Sequence, residues 1–126
     1  MSPVMRRHEF NRLVRRALRS LPPAIADHME NIAVLVQDWP DEEQLREGRT
    51  KGDRYSLLGL YQGTPLVDRA GYGMVLPDKI TLFRKPILAL GLTPEETVEE
   101  IRKTVLHEVA HHLGFSEREL ERLGYD

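Results

Sequence analysis

Cysteine is absent from the 126 residues of this chain. Disulfide bonds and thiolate metal sites are therefore excluded, and any metal must be held by histidine, aspartate or glutamate side chains. The chain also has no apolar run near the ~18 residues that a membrane helix needs. Its opening residues, MSPVMRRHEF, contain no apolar stretch of the kind that signal peptides carry. These absences predict a soluble, cytoplasmic protein that does not bind a membrane.

An excess of one charge is missing as well, because 18 lysines and arginines nearly balance 20 aspartates and glutamates. The charges are unevenly placed: residues 1–20 hold six arginines against one glutamate, and residues 38–47 hold five acids against one arginine. Runs of this kind usually keep a surface hydrated. The arginines lack the interleaved aromatic residues of a nucleic-acid-binding arm, so no nucleic-acid partner is predicted. The oligomeric state is unknown from the sequence.

The length suits one domain, predicted here to span residues 1–126. Apolar residues at helical spacing predict an amphipathic first helix, which Pro22 and Pro23 end. β-Branched and alternating runs predict strands, and polar segments with glycine or proline predict exposed loops. The expected class is α+β, with a second helix at 24–29, strands at 32–38, 55–63 and 79–85, a mobile loop at 39–54 and another loop at 68–78.

The last third of the chain predicts a long helix with well-marked ends. Thr93 is a suitable N-cap, Pro94 falls at the first helical position, and Glu96 completes a capping box. Gly114 predicts the C-terminal stop. An apolar stripe at helical spacing predicts the face that packs on the core: Val98, Ile101, Val105, Leu106, Val109 and Leu113.

The segment HEVAH, from His107 to His111, places its two histidines on the polar side of this helix. Its two histidines are four residues apart, one turn above the other, so both imidazoles can reach one point. They project almost opposite the apolar stripe, where a histidine buried in the core would not lie. Glu108 lies between them and can reach a metal-bound water without ligating the metal. This is the HExxH arrangement, in which two neutral imidazoles bind Zn²⁺ and the glutamate takes a proton from the bound water.

Two histidines leave a zinc site short of a third protein ligand. Gly114 can turn the chain through a left-handed conformation, which lets Glu117 return toward the metal. Glu117 is also the first residue of a short last helix, opened by a capping box of Ser116 and Glu119, where an acid is favoured without any metal. The need for three protein ligands favours Glu117, and Glu119 and Glu121 remain alternatives.

The other histidines and the tyrosines have weaker signals. His112 lies near the edge of the apolar stripe and points away from the first motif histidine, which suits packing or the support of a ligand. His8 and His28 have no partner at ligand spacing, so surface positions are expected. Tyr61 and Tyr72 are both suited to stabilise an oxyanion, and nothing in the sequence selects between them.

Four blocks of the sequence carry a family resemblance: RALRSLPPAIADHMENIAVLVQD, LLGLYQGTPL, LPDKITLFRKPI and TVLHEVAHHLGFSERELERLGY. Together they cover nearly the whole chain, and it resembles the small bacterial zincin-like metallopeptidase family. The motif within the last block, HExxHxxGxxE, resembles the elongated zinc motif of the metzincins. The joint occurrence of the blocks is far more specific than the zinc motif alone.

The resemblance implies a minimal zincin fold, in which a small mixed sheet and N-terminal helices pack against the HExxH helix. It implies His107 and His111 as zinc ligands, Glu108 as the catalytic base, and Glu117 at the third-ligand position, which is often aspartate in the family. Only nine residues follow Glu117, which leaves no room for the methionine turn of larger metzincins. A shallow, open site is therefore expected, suited to short or flexible peptides.

The leading hypothesis is a zinc-dependent metallopeptidase that acts on a peptide or an unfolded protein segment. The substrate would lie extended along a sheet edge above the motif helix. The alternative from another class is a catalytically weak or inactive zincin-fold interaction module, with the basic first helix and the acidic loop as its binding surfaces. A weaker alternative is an amidase or another hydrolase of non-peptidic substrates. Peptide hydrolysis separates the first hypothesis from the second, and a panel of small amides tests the third.

Overall fold

The computed structural model describes residues 5–48, 50, 53–63 and 77–122. Six α-helices, one 3₁₀ helix and three strands lie in these residues. In chain order they are α1 (Arg7–Arg19), α2 (Pro23–Ala26), the 3₁₀ helix (Met29–Asn31), β1 (Ile32–Gln37), α3 (Glu42–Glu47), β2 (Gly59–Gln62), β3 (Asp78–Phe83), α4 (Arg84–Leu88), α5 (Pro94–His112) and α6 (Glu117–Arg122). None of the helices in this part of the chain combines the length and the apolar character needed to cross a bilayer.

The three strands form one mixed sheet in the order β1–β3–β2. β1 runs parallel to β3 with Val34 opposite Ile80, and β2 runs antiparallel to β3 with Tyr61 opposite the same residue. Within the described ranges β1 and β2 are therefore the two edges of the sheet. Helices around a small mixed sheet confirm the predicted α+β class and agree with the minimal zincin fold that the resemblance implied.

Helices α1 and α5 share one hydrophobic core with the sheet. It includes Phe10, Leu13, Val14 and Ala17 of α1, Ile80 and Leu82 of β3, and Ile101, Val105, Leu106 and Val109 of α5. The middle of the predicted stripe on α5 is thus fully buried. Its ends are not: Val98 is only partly buried, and Leu113 is 38% exposed. Leu113 is the C-cap of α5, and the chain turns away directly after it.

The prediction of a mobile loop at 39–54 is wrong for the residues that form α3. Asp41 caps this helix, because its side chain accepts the Gln44 N–H and the Gln44 side chain accepts the Asp41 N–H. A second small apolar cluster contains Leu45 of α3 together with Leu57, Leu60 and Phe83. The polar composition of the segment predicted a loop, but one capping box and one buried leucine are enough to support a short helix.

Two predicted strands are shorter than their sequence patterns. The run at 55–63 is a strand only in β2, and the run at 79–85 ends with β3, after which α4 begins. Pro86 lies in the first turn of α4, where a backbone N–H has no partner within the helix in any case. A short helix can therefore follow the strand without losing a hydrogen bond.

Two further boundaries differ from the sequence expectation. The second helix, predicted at 24–29, is divided into α2 and the 3₁₀ helix that leads into β1. The loop predicted at 68–78 lies outside the described residues except for Pro77 and Asp78, and Asp78 is the first residue of β3. The single domain over residues 1–126 stays a prediction.

Gly59 sets how closely β2 approaches α5. A Cβ atom at this position would lie 2.7 Å from Cγ2 of Thr104, well inside the ~3.5–4.0 Å that carbon atoms prefer. We therefore expect Gly59→Ala to lower the free energy of unfolding by about 1–3 kcal/mol, the usual cost of overpacking. Urea denaturation measures this change.

The matched rescue is Thr104→Ser, which removes the crowding methyl group and keeps the hydroxyl. In the double variant most of the lost stability should return, because the two side chains no longer compete for the same space. Equal losses in Gly59→Ala and in the double variant would mean that Thr104 is not the reason for a glycine here.

The nearly buried guanidinium of Arg84 joins three segments where β3 gives way to α4. Its Nε donates to Oδ1 of Asp38 at 2.8 Å, and its Nη1 donates to the carbonyl of Met5 at 2.8 Å. The hydrogen bond from Arg84 holds the pKa of the Asp38 carboxyl below its usual range. A carboxyl with a lowered pKa in the folded state stabilises the fold above its unfolded pKa and loses that contribution as the pH falls through the folded value.

Replacing Arg84 by methionine should lower the free energy of unfolding by about 1–2 kcal/mol at neutral pH. The value is modest because Asp38 is 40% exposed, so solvent screens the ion pair. The difference from the wild type should shrink at acidic pH, because Asp38 is protonated at a higher pH in the unfolded chain than in the folded chain. Denaturation curves at neutral and acidic pH measure both effects. Arg12→Met, at an exposed arginine of α1, is the control and should change little; an effect of equal size there would contradict the role of Arg84.

Candidate metal and catalytic site

Helix α5 carries the two histidines of the HEVAH segment on the side that faces away from the core. Val109 and Ala110 are fully buried, whereas the side chains of His107 and His111 are 30% and 46% exposed. The two imidazole rings lie 6.1 Å apart between centroids, with their planes inclined by 22°. The histidine pair therefore shares one partly open face of the helix, as the spacing predicts.

A tight turn at Gly114 ends α5 and reverses the chain. Gly114 has a φ of +94°, in the left-handed region that favours glycine. Its N–H donates to the carbonyl of His111 at 3.1 Å, and the N–H of Phe115 donates to the carbonyl of Ala110 at 2.9 Å. These two bonds form a Schellman motif, which satisfies carbonyl groups that the helix end would otherwise leave unpaired.

The turn returns Glu117 to the histidine pair. Ser116 caps α6 by accepting the N–H of Glu119, so Glu117 is the first residue of that helix. Its Oε1 lies 3.0 Å from Nε2 of His111, and its Oε2 lies 4.0 Å from Nε2 of His107. A glutamate and two histidines from either side of the turn thus meet at one place.

The donor set suits a zinc ion. Nε2 of His107 is buried and has no hydrogen-bond partner within the described residues, an arrangement that costs free energy unless an ion or a polar group satisfies the atom. Two imidazole nitrogens and one carboxylate are common zinc ligands, and atoms bound to one tetrahedral zinc stand ~3.3 Å apart. The separations of 3.0 and 4.0 Å from Glu117 lie on either side of that value.

The three side chains are not yet arranged as a complete metal cluster. In the described ranges, no group of three or more histidine, aspartate or glutamate side chains has that arrangement. The wider contact, between Glu117 and His107, needs the glutamate to move slightly inward. Glu117 is 61% exposed, so its side chain has the rotamer freedom to do so. Nε2 of His107 lacks a partner in the described residues, and the three donors are of types that bind zinc. These residues therefore fit a zinc ion once Glu117 moves inward.

The Glu108 carboxylate contacts the sheet and interacts electrostatically with the nearby histidine pair. Its Oε1 accepts the backbone N–H of Tyr61 in β2 at 3.0 Å. Burial raises the pKa of the Glu108 carboxyl above its usual range, and the hydrogen bond from Tyr61 and the nearby His111 and His107 oppose that shift. A carboxylate with a raised pKa is a stronger base near neutral pH. Tyr61 therefore orients the Glu108 carboxylate through its main chain, a contact that its residue type does not encode.

A second polar cluster lies beside Glu108 and was not foreseen. The hydroxyl of Tyr61 donates to Oδ2 of Asp78 at 2.6 Å, and the Tyr61 ring stacks on His112 with centroids 4.0 Å apart. Nε2 of His112 lies 3.7 Å from the same carboxylate oxygen. His112 thus packs beside the site, in agreement with the expectation for it. No signal in the sequence pairs these three residues, because they come from α5, β2 and β3.

The remaining acids and histidines of interest in the sequence lie away from the histidine pair or have another role. Glu119 accepts the Ser116 N–H through Oε1 and so serves the capping box of α6. Glu121 is exposed, as are His8 and His28. Tyr72 lies outside the described residues. Of the three acids considered for the third-ligand position, Glu117 is the one that contacts the histidine pair in this part of the chain.

The chain matches a model of a known protein family. A model described as zincin-like metallopeptidase matches residues 29–125. The match includes all three strands, the motif helix α5 and the segment with Glu117, and it begins after α1 and α2. No curated protein matches the chain.

Proposed function

The chain belongs to the zincin-like metallopeptidase family, and from this premise we propose that it is a zinc-dependent peptidase for short or flexible peptide segments. The observation that carries the proposal is the convergence of Glu117 on His107 and His111 across the Gly114 turn. A helix and a turn that served stability alone would not require two imidazoles and a carboxylate on one open face.

In this proposal His107 and His111 bind the zinc ion through their ring nitrogens, and Glu117 supplies the third donor. Zinc bound there supplies a Lewis acid for a peptide carbonyl and lowers the pKa of water toward neutrality. The partial exposure of both histidines leaves the site accessible from one side. The Schellman turn at Gly114 fixes the path by which Glu117 reaches them.

Glu108 is proposed as the general base that takes a proton from water and later passes it to the leaving amine. The Tyr61 N–H engages Oε1 of Glu108, which leaves Oε2 for the proton. Burial, which raises the pKa of this carboxyl, brings it closer to the pH at which proton transfer in both directions is efficient.

The proposed substrate lies along the edge of β2 that faces away from β3. The carbonyl of Leu58 accepts the Phe83 N–H of β3, so by alternation Gly59 and Tyr61 direct their backbone groups to the other side. A peptide added there as a further strand would pass next to Glu108. Because β2 is four residues long, only a short segment can lie along it, which favours short or flexible peptides.

A second candidate function is an interaction module of the same fold without turnover. It is favoured by the open arrangement of the three donors, which do not form a complete metal cluster in the described residues. The test is hydrolysis of a broad peptide library by zinc-loaded protein, with and without a chelator. Cleavage that the chelator abolishes supports the peptidase, whereas stoichiometric zinc without any cleavage supports the module. A cytoplasmic location and a single domain remain predictions.

Glu117→Ala should weaken zinc binding and lower peptidase activity with it, because it removes a proposed ligand. Mutating a residue that only hydrogen-bonds to a metal ligand typically lowers metal affinity ~10–100-fold. Loss of a ligand itself should therefore lower zinc affinity at least ~10-fold. Activity should recover in part at high zinc concentration. Zinc titration with a competing chelator measures the affinity.

The matched control is Glu121→Ala, which removes an exposed acid from the same helix. It should leave zinc affinity and activity unchanged. Equal behaviour of the two variants would assign Glu117 only to the start of α6, where an acid stabilises the helix without a metal.

A further inference from the structure

A groove between α1 and β1 lies at the edge of the sheet opposite the proposed active site. Its volume is about 340 Å³, and the side chains of α1 that line it recur at helical spacing along one face. The edge of β1 is two strand spacings from β2, roughly 10 Å. A ligand in this groove would therefore leave the edge of β2 and Glu108 accessible.

The edge of β1 presents backbone groups to this groove. The carbonyl of Val36 accepts a hydrogen bond from Nη2 of Arg7 at 2.6 Å, so it points away from β3. Alternate residues of a strand direct their N–H and C=O to the same side, so those of Val34 point the same way. The described part of the chain supplies no partner for them. An edge of this kind is a template for another strand.

Two side chains beside that edge also lack the contacts expected of them: one is a buried polar group without a hydrogen bond, and the other is an exposed apolar group. Oδ1 of Asn11 is buried, lines the groove and has no hydrogen-bond partner within the described ranges. Leu35, on the strand itself, is an apolar side chain that is 46% exposed. A buried polar atom without a partner is costly, and a backbone N–H of an added strand is a donor that would satisfy it.

The charge around the groove is positive. Arg7 and Arg15 line it, and no acid of the described chain pairs with Arg15. The acid close to Arg7 is Asp38, at 3.4 Å, and it makes a shorter bond of 2.8 Å with Arg84. A second copy of this chain, paired edge to edge, would bring like charges together, which opposes that arrangement. The charges favour an acidic ligand.

We propose that the groove between α1 and β1 binds an extended segment of a partner protein that carries two acidic residues four positions apart. Arg7 and Arg15 are eight residues apart on α1, or ~12 Å along the helix axis. Four residues of an extended strand span ~13 Å, and an even spacing puts both acids on the same side. The segment would pair with Val34, and its acids would contact the two arginines. This surface is independent of the proposed peptidase site.

The test uses a fluorescent peptide of alternating threonine and valine in which two threonines, four positions apart, are replaced by glutamate. Its control peptides carry glutamine at the same places or have the two glutamates three positions apart. Fluorescence anisotropy should show that the first peptide binds at least ~10-fold more tightly than either control, because a charged pair at the right spacing is needed. Amide hydrogen exchange should slow at Val34 when the peptide binds.

Two variants locate the binding. Arg15→Glu should weaken it by about tenfold or more, whereas Arg12→Glu makes the same charge change at an exposed arginine of α1 outside the groove and should change it little. Val34→Pro removes the outward N–H, which an edge position tolerates, and should weaken binding equally. Equal binding to all three peptides, equal effects of the two arginine variants, or exchange protection confined to β2 would each overturn the proposal. Arg15-dependent binding of duplex DNA without peptide binding would overturn it too.

Discussion

Replacing Glu108 by glutamine should lower peptidase activity by roughly 10²-fold or more, the scale of lost general-base catalysis, while zinc binding stays nearly unchanged. The amide oxygen of glutamine can still accept the Tyr61 N–H, which now lies 3.0 Å from Oε1 of Glu108, so the side chain should keep its position. It loses the basic carboxylate, whose pKa burial raises. Steady-state kinetics on a cleaved peptide and metal analysis by mass spectrometry measure the two quantities.

Two further variants make this result specific. Glu100→Gln makes the same chemical change on the same helix, about two turns earlier, and should alter neither activity nor zinc content. Glu108→Ala removes the acceptor for the Tyr61 N–H as well, so it should be at least as inactive as the glutamine variant and somewhat less stable. Loss of zinc in Glu108→Gln would make Glu108 a ligand and would refute its assignment as the base.

The histidine variants should separate metal binding from folding. His107→Ala and His111→Ala should each abolish stoichiometric zinc binding, a larger effect than the ~10–100-fold that the loss of an outer partner costs. The fold should survive, because both side chains lie partly exposed, opposite the buried residues Val105 and Val109. Zinc titration measures the first outcome, and circular dichroism with thermal unfolding measures the second.

His8→Ala is the control for the loss of one imidazole, since His8 is exposed on α1. It should bind zinc as the wild type does. His112→Ala tests the neighbouring histidine, which stacks on Tyr61; it should keep zinc but disturb the position of β2. A double variant of His107 and His111 that still binds zinc at full affinity would place the metal elsewhere in the molecule.

Signals within a few residues of each other predicted the motif helix well. Thr93 and Glu96 form the capping box that the sequence indicated, with Oγ1 of Thr93 accepting the Glu96 N–H at 3.1 Å. Gly114 takes the left-handed conformation expected of a helix stop. Helix caps and stops act through the backbone next to them, so tertiary contacts seldom change where such a helix begins and ends.

Predictions failed where burial, rather than local pattern, decides the structure. Residues 39–54 look like a hydrated loop, yet Leu45 finds an apolar cluster with residues far along the chain and so supports α3. The run at 79–85 alternates like a strand throughout, but Arg84 turns inward to Asp38 and Met5, and the strand ends before it. Propensity is a weak determinant once tertiary contacts compete with it.

The sequence by itself determined the α+β fold class, the helix that carries HEVAH, and the spacing that puts His107 and His111 on one face. These follow from periodicities and caps that act over one or two helical turns. Only the tertiary structure decided that Glu117, and not Glu119 or Glu121, contacts the histidine pair. It alone joined Glu108 to the N–H of Tyr61, 47 residues earlier in the chain. A backbone N–H is common to nearly every residue, so its partner is set by strand register and helix packing rather than by residue type.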